Sequence, residues 1–247
     1  MRVDLLCSGS KGNSCLVRTD STSILIDCGS TKRYLMDALS CVQQDPSSLD
    51  SLLITHTHKD HVSQLSRFAS VPVYSYCELD HDQWHLVRPL DCFVLKDLRI
   101  TVIGLSHDAP KTVGFVIEDQ KEKLVYITDT GYLPNHEKVY LENADHYIFE
   151  SNHDLGMLMK TSRPMFVKQR ILSDSGHLSN EDSSMNLTSL INDHTKTILL
   201  AHISQEANDP ERALDVLKNT FLKKDMPYRG LRIEAARQFS ITSILND

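Results

Sequence analysis

The chain has 247 residues, a formal net charge of −7, 40% hydrophobic and 24% charged residues, which fits one soluble globular domain and excludes collagen-like, coiled-coil and disordered classes. Its longest apolar runs, around residues 24–26 and 197–201, are strand-sized and far short of the ~20 residues a membrane helix needs, so no membrane partner is expected. Six scattered cysteines without CxxC spacing read as buried thiols in a reducing compartment, and the N-terminus reads as a first strand rather than a signal peptide; both point to the cytoplasm.

In chain order, residues 3–7, 14–18 and 23–27 predict three strands joined by tight turns at 8–13 and 20–21. Leu35, Leu39 and Val42 share one face of a helix over 32–42, which Pro46 ends. Residues 52–54 form a buried strand running straight into His56-Thr57-His58-Lys59-Asp60-His61, followed by a helix over 62–68. A strand at 71–76, a helix at 78–87 and a strand at 98–102 come next, then a hairpin of 113–118 and 124–128, and a strand at 146–149. Ser179-Asn180-Glu181-Asp182 opens a helix to about 191, 196–201 is a strand, Asp209-Pro210 starts a helix to 222, and strands at 231–235 and 239–244 close the chain. Without repeats, low-complexity tracts or a linker, residues 1–247 are expected to form a single domain.

The densest chemical signal is the 56–61 loop. His56 and His58 alternate along an extended segment and point to one side, while Asp60 and His61 begin the helix and turn toward a second point. One loop thereby supplies donors for two neighbouring cations. His107, Asp129 and His202 each end an apolar strand, where loops on one edge of a sheet converge.

The turn Ile26-Asp27-Cys28-Gly29, the loop Thr55 to His61, His107, the turn Thr128-Asp129-Thr130-Gly131 and His202 resemble, in order, the five motifs of the metallo-β-lactamase superfamily. The resemblance implies a four-layer αββα sandwich with two divalent metal ions, Zn or Mn, at one edge of the sheets. It implies His56, His58 and His107 on the first metal, Asp60, His61 and His202 on the second, Asp129 between them, and Asp27 supporting the ligand loop. An aspartate stands at position 129 where class B lactamases carry cysteine, so antibiotic hydrolysis is not expected.

Three further segments, 8–13, 150–154 and Ser175-Gly176-His177-Leu178-Ser179-Asn180, resemble the small bacterial YycJ/WalJ branch, whose members are described as nucleases, including 5′-to-3′ DNA exonucleases. The Ser-Gly-His-x-Ser element is also similar to that of β-CASP nucleases such as ribonuclease J. Only 48 positions separate Asp129 from His177, too few for an inserted β-CASP cap.

The expected activity is a dinuclear phosphodiesterase acting on nucleic acid, at a single strand or a 5′ end, with a water shared by two cations as nucleophile. Asp60 would orient that water, and His177 would stabilise charge on the phosphorane or protonate the leaving oxygen. Ser8, Ser10 and Asn13 in the first glycine-containing loop, with His177, Ser179 and Asn180 at a helix start, are the candidate substrate contacts. The same donors also suit a small-molecule hydrolase acting on a thioester or cyclic phosphodiester, or a metal-bearing regulatory module without catalysis. The acidic net charge limits nucleic-acid contact to a local cleft.

Overall fold

The computed structural model describes residues 1–226 and 230–244. Two seven-stranded sheets are built by nearly matching meanders. In the first, β1 (Arg2–Cys7), β2 (Ser14–Arg18) and β3 (Ser23–Ile26) pair antiparallel, and β4 (Ser51–Ile54), β5 (Val73–Ser75) and β6 (Trp84–Leu86) follow in parallel, with β14 (Thr242–Ile244) beside β1. In the second, β7 (Cys92–Leu95), β8 (Leu98–Gly104), β9 (Val113–Glu118) and β10 (Lys123–Ile127) are antiparallel, and β11 (His146–Glu150), β12 (Thr197–Ala201) and β13 (Arg232–Ala235) continue in parallel.

Period-2 alternation sorts the strand side chains into layers. Ile24 and Ile26 of β3 join Leu124 and Tyr126 of β10 and Ile148 of β11 in one buried cluster between the sheets. Their neighbours point outward: Leu25 packs under α1 (Lys32–Cys41) against Leu35 and Leu39. On the other sheet Val125, Ile127, Tyr147 and Phe149 pack with Leu187 of α6 (Asn180–Leu190) and Leu217 of α7 (Pro210–Lys223). Both sheets are therefore covered on both faces, which is the expected αββα sandwich.

Several local expectations are corrected. Residues 78–87 are not helical; they form turns leading into β6, because pairing of Val73 with Trp84 and the contact of His81 Nε2 with the Phe68 carbonyl at 3.2 Å hold the chain along the sheet edge. The helix expected over 62–68 is instead α2 (Lys59–Val62) followed by a 3₁₀ turn at Leu65–Phe68, interrupted where Ser63 Oγ and Gln64 Nε2 both donate to the Ser30 carbonyl. All six cysteines are free, but Cys41 and Cys92 are exposed rather than buried. His146 is buried at the start of β11. Helices α3 (Asn135–Leu141), α4 (Leu155–Lys160) and α5 (Met165–Ile171), and strand β7, carried no legible pattern. Among the described residues no helix is long and apolar enough to cross a membrane.

Candidate metal centre

The strands β1, β3, β4, β8, β10, β11 and β12 all end at the same edge of the sandwich, and the residues after them meet there. Asp27, Asp129 and His202 adopt left-handed backbone, with φ of 57°, 58° and 53°, in the turns immediately beyond β3, β10 and β12. A non-glycine residue in that region costs about 1–2 kcal/mol, and here it turns each side chain back over the sheet edge.

The loop after β4 is clamped by backbone contacts. Cys28 N donates to the His61 carbonyl at 2.8 Å, and Asn13 N to the Asp60 carbonyl at 2.8 Å. Gly29 lies so close beneath that a Cβ there would sit 1.7 Å from the Asp60 carbonyl oxygen, so only glycine fits.

Donor atoms of His56, His58 and His107 lie within 4.8 Å of one another, as do those of Asp60, His61 and His202, and those of His56, His61 and Asp129. Asp129 Oδ2 is 3.2 Å from His61 Nε2, while Oδ1 is 3.8 Å from His107 Nε2 and 3.4 Å from His202 Nε2.

The imidazoles are oriented from behind. His61 Nδ1 donates to Asp27 Oδ2 at 2.7 Å, His107 Nδ1 to the Gly176 carbonyl at 3.1 Å, and His202 Nδ1 to Glu150 Oε1 at 2.9 Å; His56 Nδ1 lies 3.1 Å from Thr55 Oγ1. Asp27 itself accepts from Thr55 N and Oγ1 at 2.9 and 2.8 Å. In these four rings Nδ1 is occupied, which leaves Nε2 facing the cluster. The Nε2 atoms of His56 and His202 are buried there without a hydrogen bond. A buried polar atom without a partner costs about 1–3 kcal/mol, and several converging on one point with an all-imidazole and carboxylate donor set fit divalent cations.

Electrostatics follows from the crowding. Burial drives His56 well below the usual imidazole range, aided by the neighbouring imidazoles of His61 and His107, and burial likewise lowers His107 against the pull of Asp129. Burial alone would lower His61 and His202 too, but Asp27 and Asp129 lift His61 well above its ordinary value, and Asp129 with Glu150 lifts His202 to about 9. Burial opposes ionisation of Asp129 and Glu150, yet His202 and His61 hold the first well below the carboxylate range, and His177 and His202 hold the second at about 2. Burial would raise Asp60, and His61 more than offsets it. Asp27 goes the other way, its burial outweighing His61.

A cleft of about 480 Å³ opens over the cluster. His177 and Ser10 line it, together with His58, Asp60, His107 and Asp129. The other candidate substrate contacts sit behind the donors. Ser8 Oγ accepts from His202 N at 2.8 Å, and Asn13 Nδ2 donates to Asp60 Oδ2 at 3.2 Å and reaches His61 Nε2 at 2.9 Å. Ser179 Oγ caps α6 by accepting from Asp182 N, and Asn180 is buried against Ser151 and Asn208. Sequence reasoning left Glu150 without a role, although it follows the apolar run Tyr147-Ile148-Phe149 as the donor residues follow theirs. Asp108 was also missed; its Oδ1 is 3.2 Å from His107 Nε2 and 3.6 Å from His58 Nε2.

Two sheets flanked by helices, with histidines and carboxylates gathered at one edge, define a metallo-β-lactamase fold. Residues 22–203 match the model of the β-lactamase superfamily domain. The chain is 33% identical over 227 residues to exodeoxyribonuclease YycJ of Bacillus anthracis, covering 86% of each chain. It is 34% identical over 243 residues to exodeoxyribonuclease WalJ of Streptococcus pneumoniae, covering 91% of this chain and 90% of that one. The chain belongs to the metallo-β-lactamase superfamily, in its YycJ/WalJ branch. The metallo-β-lactamase fold protein YhfI of Bacillus subtilis superposes with a TM-score of 0.75 at 17% identity, over 98% of both chains. The short form of human tRNase Z does so at 0.68 and 17%, over 100% of both. These two likenesses concern the fold. Fold, donor set and curated relatives together make the chain a metal-dependent hydrolase.

Proposed function

We propose that the protein is a cytoplasmic dinuclear exonuclease that hydrolyses phosphodiester bonds of DNA from a 5′ end. His56, His58 and His107 would hold one cation, Asp60, His61 and His202 the other, and Asp129 both; Zn and Mn suit these donors equally. Two such cations supply a water of lowered pKa and polarise the phosphoryl oxygen.

The observation that carries the reading is the position of His177. Its ring centroid is 5.0 Å from that of His107 and 5.2 Å from that of His202, so it faces both halves of the donor cluster across the cleft. Its Nδ1 donates to Glu150 Oε1 at 2.8 Å, which leaves Nε2 to meet a phosphoryl or leaving oxygen. The Glu150 carboxylate fixes the ring, so that Nε2 is aimed into the cleft where a phosphate oxygen would lie. Asp60, held by Asn13 Nδ2 at 3.2 Å, would orient the attacking water. The relatives named as exodeoxyribonucleases supply the substrate class.

The test is incubation of a 5′-phosphorylated DNA strand with Mn²⁺ and wild-type protein, His58→Ala or His177→Ala. Wild type is expected to release nucleotides, with both variants depressed at least a hundredfold. Absence of metal-dependent release, with turnover of a thioester or cyclic phosphodiester instead, would move the assignment to a small-molecule hydrolase. Stoichiometric metal with no hydrolysis of either kind would make it a regulatory module.

A further inference from the structure

One wall of the cleft is not made by the donor loops. Arg163, Val167, Arg170 and Ile171 come from the hairpin of α4 and α5. In a chain of net charge −7, residues 155–172 contain Lys160, Arg163, Lys168 and Arg170 and no Asp or Glu.

The hairpin is a built element. Asp154 caps α4 by accepting from Met157 N at 2.8 Å, and Lys168 Nζ donates to the carbonyls of Met159 and Thr161 at 2.7 and 2.8 Å, fastening α5 to the end of α4. Leu158 and Ile171, with Val167 beside them, pack on Ala207. The apolar residues left outside are therefore not needed for its core, yet Phe166 is 72% exposed and Met165 55%.

Arg163 Nε pairs with Glu206 at 2.9 Å and Arg170 Nη1 with Asp108 at 3.4 Å, both at the surface, and their side chains are 29% and 63% exposed. Exposed pairs of this kind are worth about 0–1 kcal/mol and exchange readily for a phosphate. Phe166 precedes Arg170 by four residues on α5, one helical turn, and guanidinium groups on the same element as an exposed aromatic ring are a combination that binds single-stranded nucleic acid, by charge to the backbone and stacking to the bases. Asp108 stands between Arg170 and the donors, its Oδ2 3.4 Å from Arg170 Nη1 and its Oδ1 3.2 Å from His107 Nε2, so the basic wall stops short of the metal side.

We propose that the α4–α5 hairpin is a strand guide: Arg163 and Arg170 bind backbone phosphates of single-stranded DNA leading from the metal cleft, and Phe166 stacks on one of its bases. The assignment rests on the exonuclease reading above and adds the residues that hold the strand beyond the scissile bond.

The experiment measures KM, kcat and salt dependence on a 5′-phosphorylated oligothymidylate with Mn²⁺, for wild type, Arg163→Gln/Arg170→Gln, Arg163→Lys/Arg170→Lys and Phe166→Ala. Metal content and thermal midpoint are recorded for each. The double glutamine variant is expected to raise KM at least tenfold with kcat within about threefold, and to lower the slope of log KM against log salt by about 1.4, which is two phosphates at ~0.7 each. The lysine pair should recover most of that slope. Phe166→Ala should raise KM about five- to a hundred-and-fiftyfold, the range for loss of one stacked base. Unchanged KM and salt slope in a metal-loaded double variant overturns the guide while leaving the nuclease reading standing. A wild type that releases nothing from DNA overturns the nuclease reading itself. If the double variant does not fold, Phe166→Ala decides alone: unchanged KM overturns the proposal.

Discussion

His177 and His202 donate to the same oxygen, Glu150 Oε1, at 2.8 and 2.9 Å. The other oxygen of Glu150 accepts from Thr130 N at 2.9 Å and Leu178 N at 3.2 Å. One buried carboxylate thus fixes a cluster histidine, the cleft-facing histidine and the turn after Asp129 together.

Glu150→Gln keeps the size of the side chain but removes the charge that both imidazoles share. Loss of a group that orients a metal ligand costs about 10–100-fold in metal affinity. The variant is expected to bind Mn²⁺ or Zn²⁺ that much more weakly by calorimetric titration, and at saturating metal to keep a lowered kcat because His177 is no longer held. Full recovery of kcat at saturating metal would restrict Glu150 to His202.

Gly29→Ala tests the clamp on the ligand loop. The added methyl would lie 1.7 Å from the Asp60 carbonyl oxygen and 2.8 Å from Asn13 N, so the loop must move, and such overpacking costs about 1–3 kcal/mol. Expected are a lower melting temperature and, because Asp60 and His61 shift, fewer than the wild-type number of bound metals by elemental analysis. A wild-type metal content would show that the loop adapts without moving its donors.

Much of this centre was legible because its donors follow apolar strands: His56 after Leu52-Leu53-Ile54 and His202 after Leu199-Leu200-Ala201 each end a pattern that period-2 reasoning finds. Asp27 was legible only through the resemblance to a family. What stayed hidden depends on contacts distant in sequence. Glu150 acquires its role from His177 and His202, 27 and 52 residues away. The segment 78–87 has helix-compatible composition, and only edge pairing with β5 makes it extended. Short helices such as α4 and α5 carry too few turns to show a period, so the basic wall they form went unseen.

Chelation should destabilise the protein. Asp27, Asp129 and Glu150 are buried together, and without cations they face one another with the imidazoles of His61, His177 and His202 as their partners. A ligand bound only by the folded state adds about 4 kcal/mol at a thousandfold excess over its Kd. Melting in EDTA is expected several degrees below melting in Mn²⁺, and His58→Ala should narrow that gap. Identical melting curves for wild type would show that the cluster binds no metal tightly.

His146 gives a pH dependence away from the metals. It is buried at the start of β11, with neither ring nitrogen hydrogen-bonded and Glu122 Oε1 3.4 Å from Nε2. Burial lowers its pKa; Glu122 and Asp145 pull upward without overcoming that, and Lys196 pushes down. A histidine whose folded value lies below the unfolded 6.5 binds fewer protons when folded, so stability rises with pH up to 6.5 and is lost as pH falls below it toward the folded value. His146→Gln removes this group and leaves the metal cluster untouched. The melting temperature of wild type relative to His146→Gln is therefore expected to be higher at pH 8 than at pH 5.5. A difference that is constant across this range would mean that His146 keeps one protonation state throughout.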